Sequence, residues 1–128
     1  MLIGVPGNIA YLRIRKNEIS ARNIKSGKEV TIKAPTPFTS TRLLVGEFRL
    51  AEKLVCNAMK EIFPNAFWTT SPAVVVHPLE MVEGGLSEVE ERLLKELAIG
   101  AGAAMAIVLT GAELTDAEVR ARVSEKQK

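Results

Sequence analysis

Apolar and polar residues alternate through the first third of the chain. Lys28-Glu29-Val30-Thr31-Ile32-Lys33 places Val30 and Ile32 on one face and polar side chains on the other, the period of a half-buried strand. Asn8–Arg15 and Glu18–Ile24 come before it. Lys16-Asn17 and Ser26-Gly27 separate the three segments with turn-forming residues. The pattern predicts strands at Asn8–Arg15, Glu18–Ile24 and Lys28–Ala34, joined as an antiparallel meander. Leu2–Val5 is a candidate extension of the first strand. Pro35-Thr36-Pro37 ends the meander, because proline donates no ladder hydrogen bond. Phe38–Gly46 reads as an irregular connector.

The period then changes. Ala51, Leu54, Val55, Ala58 and Ile62 recur at helical spacing and predict a helix over about Arg49–Phe63, stopped by Pro64-Asn65. Ala73-Val74-Val75-Val76 is a continuous β-branched run, the pattern of a strand buried on both faces, and Pro78 closes it. Ser87-Glu88-Val89-Glu90 has the spacing of a capping box and opens a helix running to about Ile99. Its apolar side is expected to be Leu86, Val89, Leu93 and Leu97, and Gly100-Ala101-Gly102-Ala103 ends it. Met105–Leu109 is a second continuous apolar strand. Thr115-Asp116-Ala117-Glu118 repeats the capping signature and opens a last helix to about Val123, with Ser124–Lys128 a frayed, flexible tail.

This order predicts an α/β fold with a single mixed sheet of about five strands, the antiparallel meander leading into a parallel pair joined by a helix. Steady right-handed crossovers put the two longer helices on one sheet face. Only the short last helix is left for the other, which is expected to be a thinly covered partner surface.

Composition narrows the function. The 128 residues, 47% hydrophobic and 25% charged, suit one globular domain spanning 1–128. The apolar runs fall short of a membrane span, and the start lacks the form of a secretory signal. Seventeen basic residues against 15 acidic ones give no dense basic stripe, so no nucleic-acid partner is expected. One cysteine excludes an internal disulfide and fits the cytoplasm. One histidine and one cysteine argue against a transition-metal site.

The candidate chemistry is sparse. His77 sits at the C-terminal end of the valine strand, where open α/β sheets place active sites, but no neighbouring pattern supplies the partner a general base needs. Cys56 lies among Val55, Ala58 and Met59, the setting of a small buried hydrophobe. Glu80, Glu83, Glu88, Glu90 and Glu91 cluster around Gly84-Gly85. They match no calcium loop, and they complement the positive end of the following helix. Gly4-Val5-Pro6-Gly7-Asn8 is a tight turn without the features of a Walker loop. Phe63, Phe67 and Trp68 flank a turn and are expected to plug the end of the core.

Three stretches follow one another in an informative order: Ser71-Pro72-Ala73-Val74-Val75-Val76-His77-Pro78, Ser87-Glu88-Val89-Glu90-Glu91-Arg92, and Ala98-Ile99-Gly100-Ala101-Gly102-Ala103. With Val45-Gly46-Glu47-Phe48 ahead of Ala51-Glu52-Lys53-Leu54, this order resembles the MreB rod-shape-determining family of bacterial actin homologues over about Val45–Leu109. The resemblance implies the first, ribonuclease-H-like subdomain of an actin fold. A full member of that family binds ATP between two such halves and forms filaments beneath the membrane, and this chain is too short for the second half. It also departs from the family at the chemistry. Gly4, Val5, Pro6 and Gly7 stand where the family carries the Asp-Leu-Gly-Thr phosphate loop. Thr110, Gly111 and Ala112 replace Glu-Glu-Pro, leaving only the adjacent Glu113. Phosphoryl transfer depends on positioned charge and metal.

The expectation is therefore a non-enzymatic, actin-related single domain with no catalytic, cofactor or metal residues, acting by protein–protein contact in cell shape or the cytoskeleton. A homodimer or another cytoskeletal protein is the expected partner, with no membrane insertion. The alternative is a nucleotide-binding or ATPase-like protein completed by oligomerisation or by a second chain.

Overall fold

A computed structural model describes residues 7–64 and 71–127. The alternating segments form β1 (Ile9–Arg15), β2 (Glu18–Asn23) and β3 (Glu29–Lys33), paired as an antiparallel meander. Lys16-Asn17 makes the first turn, and Asn17 takes a positive φ of 53°, which asparagine tolerates better than most side chains. Asn17 does more than turn the chain. Its Oδ1 accepts the backbone N–H groups of Phe38 and Thr39 at 2.9 and 2.8 Å, and its carbonyl accepts that of Ala34 at 2.8 Å. The hairpin is thereby fastened to the chain leaving β3, and Phe38 is seated fully buried in the core.

Downstream come α1 (Phe48–Ile62), β4 (Ala73–Pro78), α2 (Glu88–Gly100), β5 (Met105–Val108) and α3 (Asp116–Gln127). The strand order is β3-β2-β1-β4-β5, with β4 parallel to both β1 and β5. This is the mixed five-stranded sheet, an antiparallel meander followed by a parallel pair, that the element order predicts. β4 lies inside it, and every one of its residues is buried. α1 buries Ala51, Leu54, Val55, Ala58, Met59 and Ile62. Its last turn is held by Asn23, whose Nδ2 donates to the Ile62 carbonyl at 2.9 Å. α2 opens on the capping box, with Ser87 and Glu90 each accepting the other's backbone N–H. Both helices pack against Leu12, Ile14, Ile19, Val74 and Val76 on one face. α3 opens on the matching Thr115–Glu118 box and places Val119 and Val123 against Tyr11, Ile24, Ala73 and Val75 on the other.

Four details differ from the sequence expectation. α3 continues to Gln127, because no proline or glycine interrupts Ser124–Lys126 and these residues extend the helix begun at the cap. β5 is an edge strand, so its residues are only half-buried despite their continuous apolarity. Val89 is 76% exposed, since α2 meets the sheet through Leu94, Leu97 and Ala98 and its first turn lies outside that contact. The thinly covered face is not bare apolar surface: α3 covers its apolar part, and the remainder carries charge. Phe63 is buried in the core. Leu2–Val5, Phe67, Trp68 and residues 4–6 of the glycine turn lie outside the described residues.

Replacing Asn17 by alanine removes the shared acceptor for two backbone N–H groups and puts a less tolerant residue at positive φ. Stability is expected to fall by about 1–3 kcal/mol in urea unfolding. Asn17→Gly, which keeps the backbone conformation, is expected to lose only the hydrogen-bond part. Equal losses in the two variants would show that the turn's conformation costs nothing.

Candidate functional site

Alternation along β1 sends Leu12 and Ile14 to the α1–α2 face and Tyr11, Arg13 and Arg15 to the other. Register then builds rows across the sheet. Tyr11 lies between Val75 and Arg22, and Arg13 lies between His77 and Ser20. Ser20 is opposite Thr31, and their hydroxyls are 2.8 Å apart. Towards the C-terminal ends of β1 and β4 this face therefore passes from apolar to polar.

His77 is the centre of the polar part and is completely buried. Its Nε2 is 2.9 Å from the Gly111 carbonyl, which can only accept, so Nε2 carries the proton. In the neutral ring Nδ1 then accepts, and the Tyr11 hydroxyl, 2.7 Å away, donates to it. The Tyr11 oxygen in turn accepts the Leu114 backbone N–H at 3.0 Å. Burial lowers the histidine pKa, and the Arg13 cation adds to this, while the Gly111 carbonyl and Glu113 act in the opposite sense. Burial likewise raises the Tyr11 phenol, against the Leu114 hydrogen bond. The Tyr11 hydroxyl and both His77 ring nitrogens are engaged, and the neutral histidine is the form that fits.

Charged groups surround this chain in matched pairs. The Arg13 guanidinium lies 5.2 Å from the centre of the Tyr11 ring. Its Nη2 is 3.0 Å from Glu29, yet Nε and Nη2 make no aligned hydrogen bond, so that contact is mainly coulombic. Arg13 also lies 3.6 Å from Glu113, which Arg15 meets at 2.8 Å. Arg22 grips Asp116 with two contacts of 2.9 and 3.1 Å, and their hydrogen bond raises the guanidinium pKa and lowers the carboxyl pKa. Arg120 donates to the Ile24 carbonyl at 3.1 Å. α3 is thus tied to the sheet at Asp116 and Arg120, and its approach is tied at Leu114.

The sequence candidates do not converge. Cys56 is on α1, across the sheet from His77, and burial, then the Glu52 carboxylate, push its thiol up, away from the thiolate a nucleophile needs. Glu113 is occupied by Arg13 and Arg15, and Gly111 offers its carbonyl to His77. Glu90 is engaged in the cap, and Glu91 is 3.6 Å from Lys95. Among the described residues, no three His, Cys, Asp or Glu side chains come together to hold a metal ion, and no helix is long and apolar enough to cross a membrane. Tyr11, Arg13, Arg15, Arg22 and Asp116 went unnoticed in the sequence. The signal for the first three was the strict alternation of Tyr11-Leu12-Arg13-Ile14-Arg15, which puts an aromatic ring and two cations on one face.

No family model matches the sequence. The chain is 39% identical over 99 residues to the uncharacterized protein YjaA of Escherichia coli (strain K12), an alignment covering 73% of this chain and 76% of that protein. Among solved structures it is similar to the Aquifex aeolicus PPX-GPPA enzyme, with a TM-score of 0.47 and 17% identity. That match covers 80% of this chain and 36% of the larger one. Neither protein bears an MreB name.

A depressed histidine pKa makes stability depend on pH with a defined sign. Above about pH 6.5, the ordinary histidine value, His77 is neutral in both the folded and unfolded states and carries no penalty. As pH falls below that, the unfolded chain takes up a proton that the folded site resists, so stability declines. Urea midpoints are expected to be flat just above neutrality and to drop on acidification, with a shallower drop as pH falls below the ordinary histidine value of about 6.5 in His77→Gln. Identical pH slopes in the two proteins would rule out this role for His77.

Proposed function

The chain belongs to the YjaA family, and for it we propose a non-catalytic role: an actin-like, ribonuclease-H-like domain that works by binding other proteins. The observation that carries this reading is the closure of His77. A general acid or base needs a free lone pair or proton facing substrate. Both ring nitrogens of His77 are spent on Tyr11 and Gly111 in a site without solvent contact. The nearby arginines face carboxylates of the same chain, leaving no uncompensated cluster for a triphosphate. Glu113, the residue nearest to where the MreB-like pattern carries its water-positioning glutamate, is neutralised by arginine. The resemblance to MreB favours a second copy or a cytoskeletal, cell-shape protein in the cytoplasm as the partner.

Calorimetric titration with magnesium-ATP, paired with a phosphate-release assay, tests the reading. It predicts no saturable heat and no release above buffer. Saturable micromolar binding that Arg13→Ala abolishes would replace it with the nucleotide-binding alternative.

A further inference from the structure

Among the described residues, β3 ends the sheet on its side, paired with β2 alone. Its phase is fixed by two bonds at its ends: the Asn23 N–H donates to the Lys28 carbonyl and the Ala34 N–H to the Asn17 carbonyl, both at 2.8 Å. Bonded and unbonded residues alternate along an antiparallel ladder. Between those bonds Val30 stands opposite Ala21 and Ile32 opposite Ile19, so these two turn their backbone groups to β2. The N–H and C=O groups of Glu29, Thr31 and Lys33 therefore point away from the sheet. We propose that this edge pairs with β3 of a second copy of the chain, antiparallel and about a two-fold axis at Thr31. The proposal rests on the protein-binding reading above and gives it a partner and a surface.

Backbone and charge choose the same register. Ladder bonds form only where outward-pointing residues face outward-pointing residues, so Glu29, Thr31 and Lys33 have to meet one another across the axis. An axis at Glu29 or at Lys33 sets that residue against its own copy, and like charges directly opposite destabilise a sheet. An axis at Val30 or Ile32 carries Lys33 or Glu29 beyond the end of the partner strand. The axis at Thr31 sets Glu29 opposite the partner's Lys33 at both ends. Each of the outward residues then exchanges both N–H···O bonds with its opposite number. Pro35, which has no N–H to give, bounds the pairing.

Pairing within the chain extends the match. Arg15 lies opposite Glu18, Glu18 opposite Lys33, and Arg22 opposite Glu29. Joining the edges completes a row of alternating sign across both sheets: Arg15, Glu18, Lys33, then the partner's Glu29 and the partner's Arg22. Glu29 is already held, by Arg13 at 3.0 Å and Arg22 at 3.6 Å, so its carboxylate is placed before a partner arrives. Between the charged ends, the Ser20 and Thr31 hydroxyls are 2.8 Å apart, and the axis sets Thr31 beside the partner's Thr31, a favourable cross-strand pair. On the opposite face Val30 and Ile32 pack against the core but are only half-buried. The partner's Ile32 falls opposite Val30 and covers both.

Charges on an edge strand ordinarily discourage pairing with other chains. Here they turn away strands of other sequence and admit the one that carries their complement, which is the same strand reversed. The other edge strand, β5, reads Met-Ala-Ile-Val and has no charge to set a register. β3 offers five residues a side, less surface than the about 1,200–2,000 Å² of a standard stable complex. The dimer is accordingly a weak one whose population rises with concentration.

Analytical ultracentrifugation from micromolar to millimolar concentration tests the pairing. The parent chain is expected to pass from monomer to dimer. Thr31→Pro removes an outward N–H at the axis, a change an edge strand tolerates, and Lys33→Glu sets like charges at both ends. Each is expected to raise the dissociation constant roughly tenfold or more. Glu29→Lys alone should do the same, and an equimolar mixture of the Lys33→Glu and Glu29→Lys chains should dimerise again, because each carries the other's complement. Unchanged urea midpoints, measured at monomer concentrations, show that a variant folds. If Glu29→Lys unfolds beside Arg13 and Arg22, the other two variants decide. The proposal is overturned by a parent chain that stays monomeric at millimolar concentration. It is also overturned by a dimer that either folded variant leaves intact, or by folded charge variants that stay apart when mixed. Any of these failures with magnesium-ATP still giving no heat removes the edge pairing alone. Magnesium-ATP binding removes the non-catalytic reading itself.

Discussion

The second face of the sheet depends on a hydrogen-bonded chain running from Leu114 through Tyr11 and His77 to Gly111. It joins β1, β4 and the connector between β5 and α3, and its two middle members, Tyr11 and His77, are buried. A buried polar group left unpaired costs more than a made hydrogen bond returns. The buried Tyr11 hydroxyl and His77 ring therefore depend on each other, and Tyr11 also lies in the cluster that seats Val119 and Val123 over Val75. The constraint is also electronic. The carbonyl of Gly111 demands a donor, so in the neutral ring, which burial favours, Nδ1 accepts and the tyrosine donates; a second ring proton would leave the tyrosine hydrogen without its acceptor.

That constraint separates structure from chemistry on this face. A histidine at the end of an interior strand sits where a catalytic base is often found, but here its capacity is used up internally. The guanidinium–carboxylate pairs around it are partly exposed, so each is worth little to stability. Their effect is to leave the polar half of the face without a strong net field, and Asp116 with Arg120 fixes α3 over the apolar half. The α1–α2 side is built differently. It holds the large core, on which α1 and α2 pack.

The fold was legible in the sequence because its signals are local. The alternation in β3, the helical spacing of Ala51, Leu54, Val55, Ala58 and Ile62, and the two capping boxes each depend on a few adjacent residues. The long-range features were less legible. The exposure of Val89 depends on where α2 meets the sheet, which helical periodicity does not encode. The half-burial of β5 depends on its being last in the strand order. The His77 site joins residues from both ends of the chain, and its partners are a backbone carbonyl and a backbone N–H, which no motif records. Tyr11 and Arg13 were visible as an alternating pattern, but only the register with β4 shows that they flank His77.

The central claim is that His77 is a closed structural link, and the protonation state of its ring tests this most directly. Nitrogen-detected NMR of the imidazole should show one neutral tautomer, with the proton on Nε2 and a bare Nδ1, that persists as pH falls well below the ordinary histidine value of about 6.5. A ring that titrates near that value while the protein stays folded, or one protonated on Nδ1, would contradict the account and reopen His77 as a working acid or base.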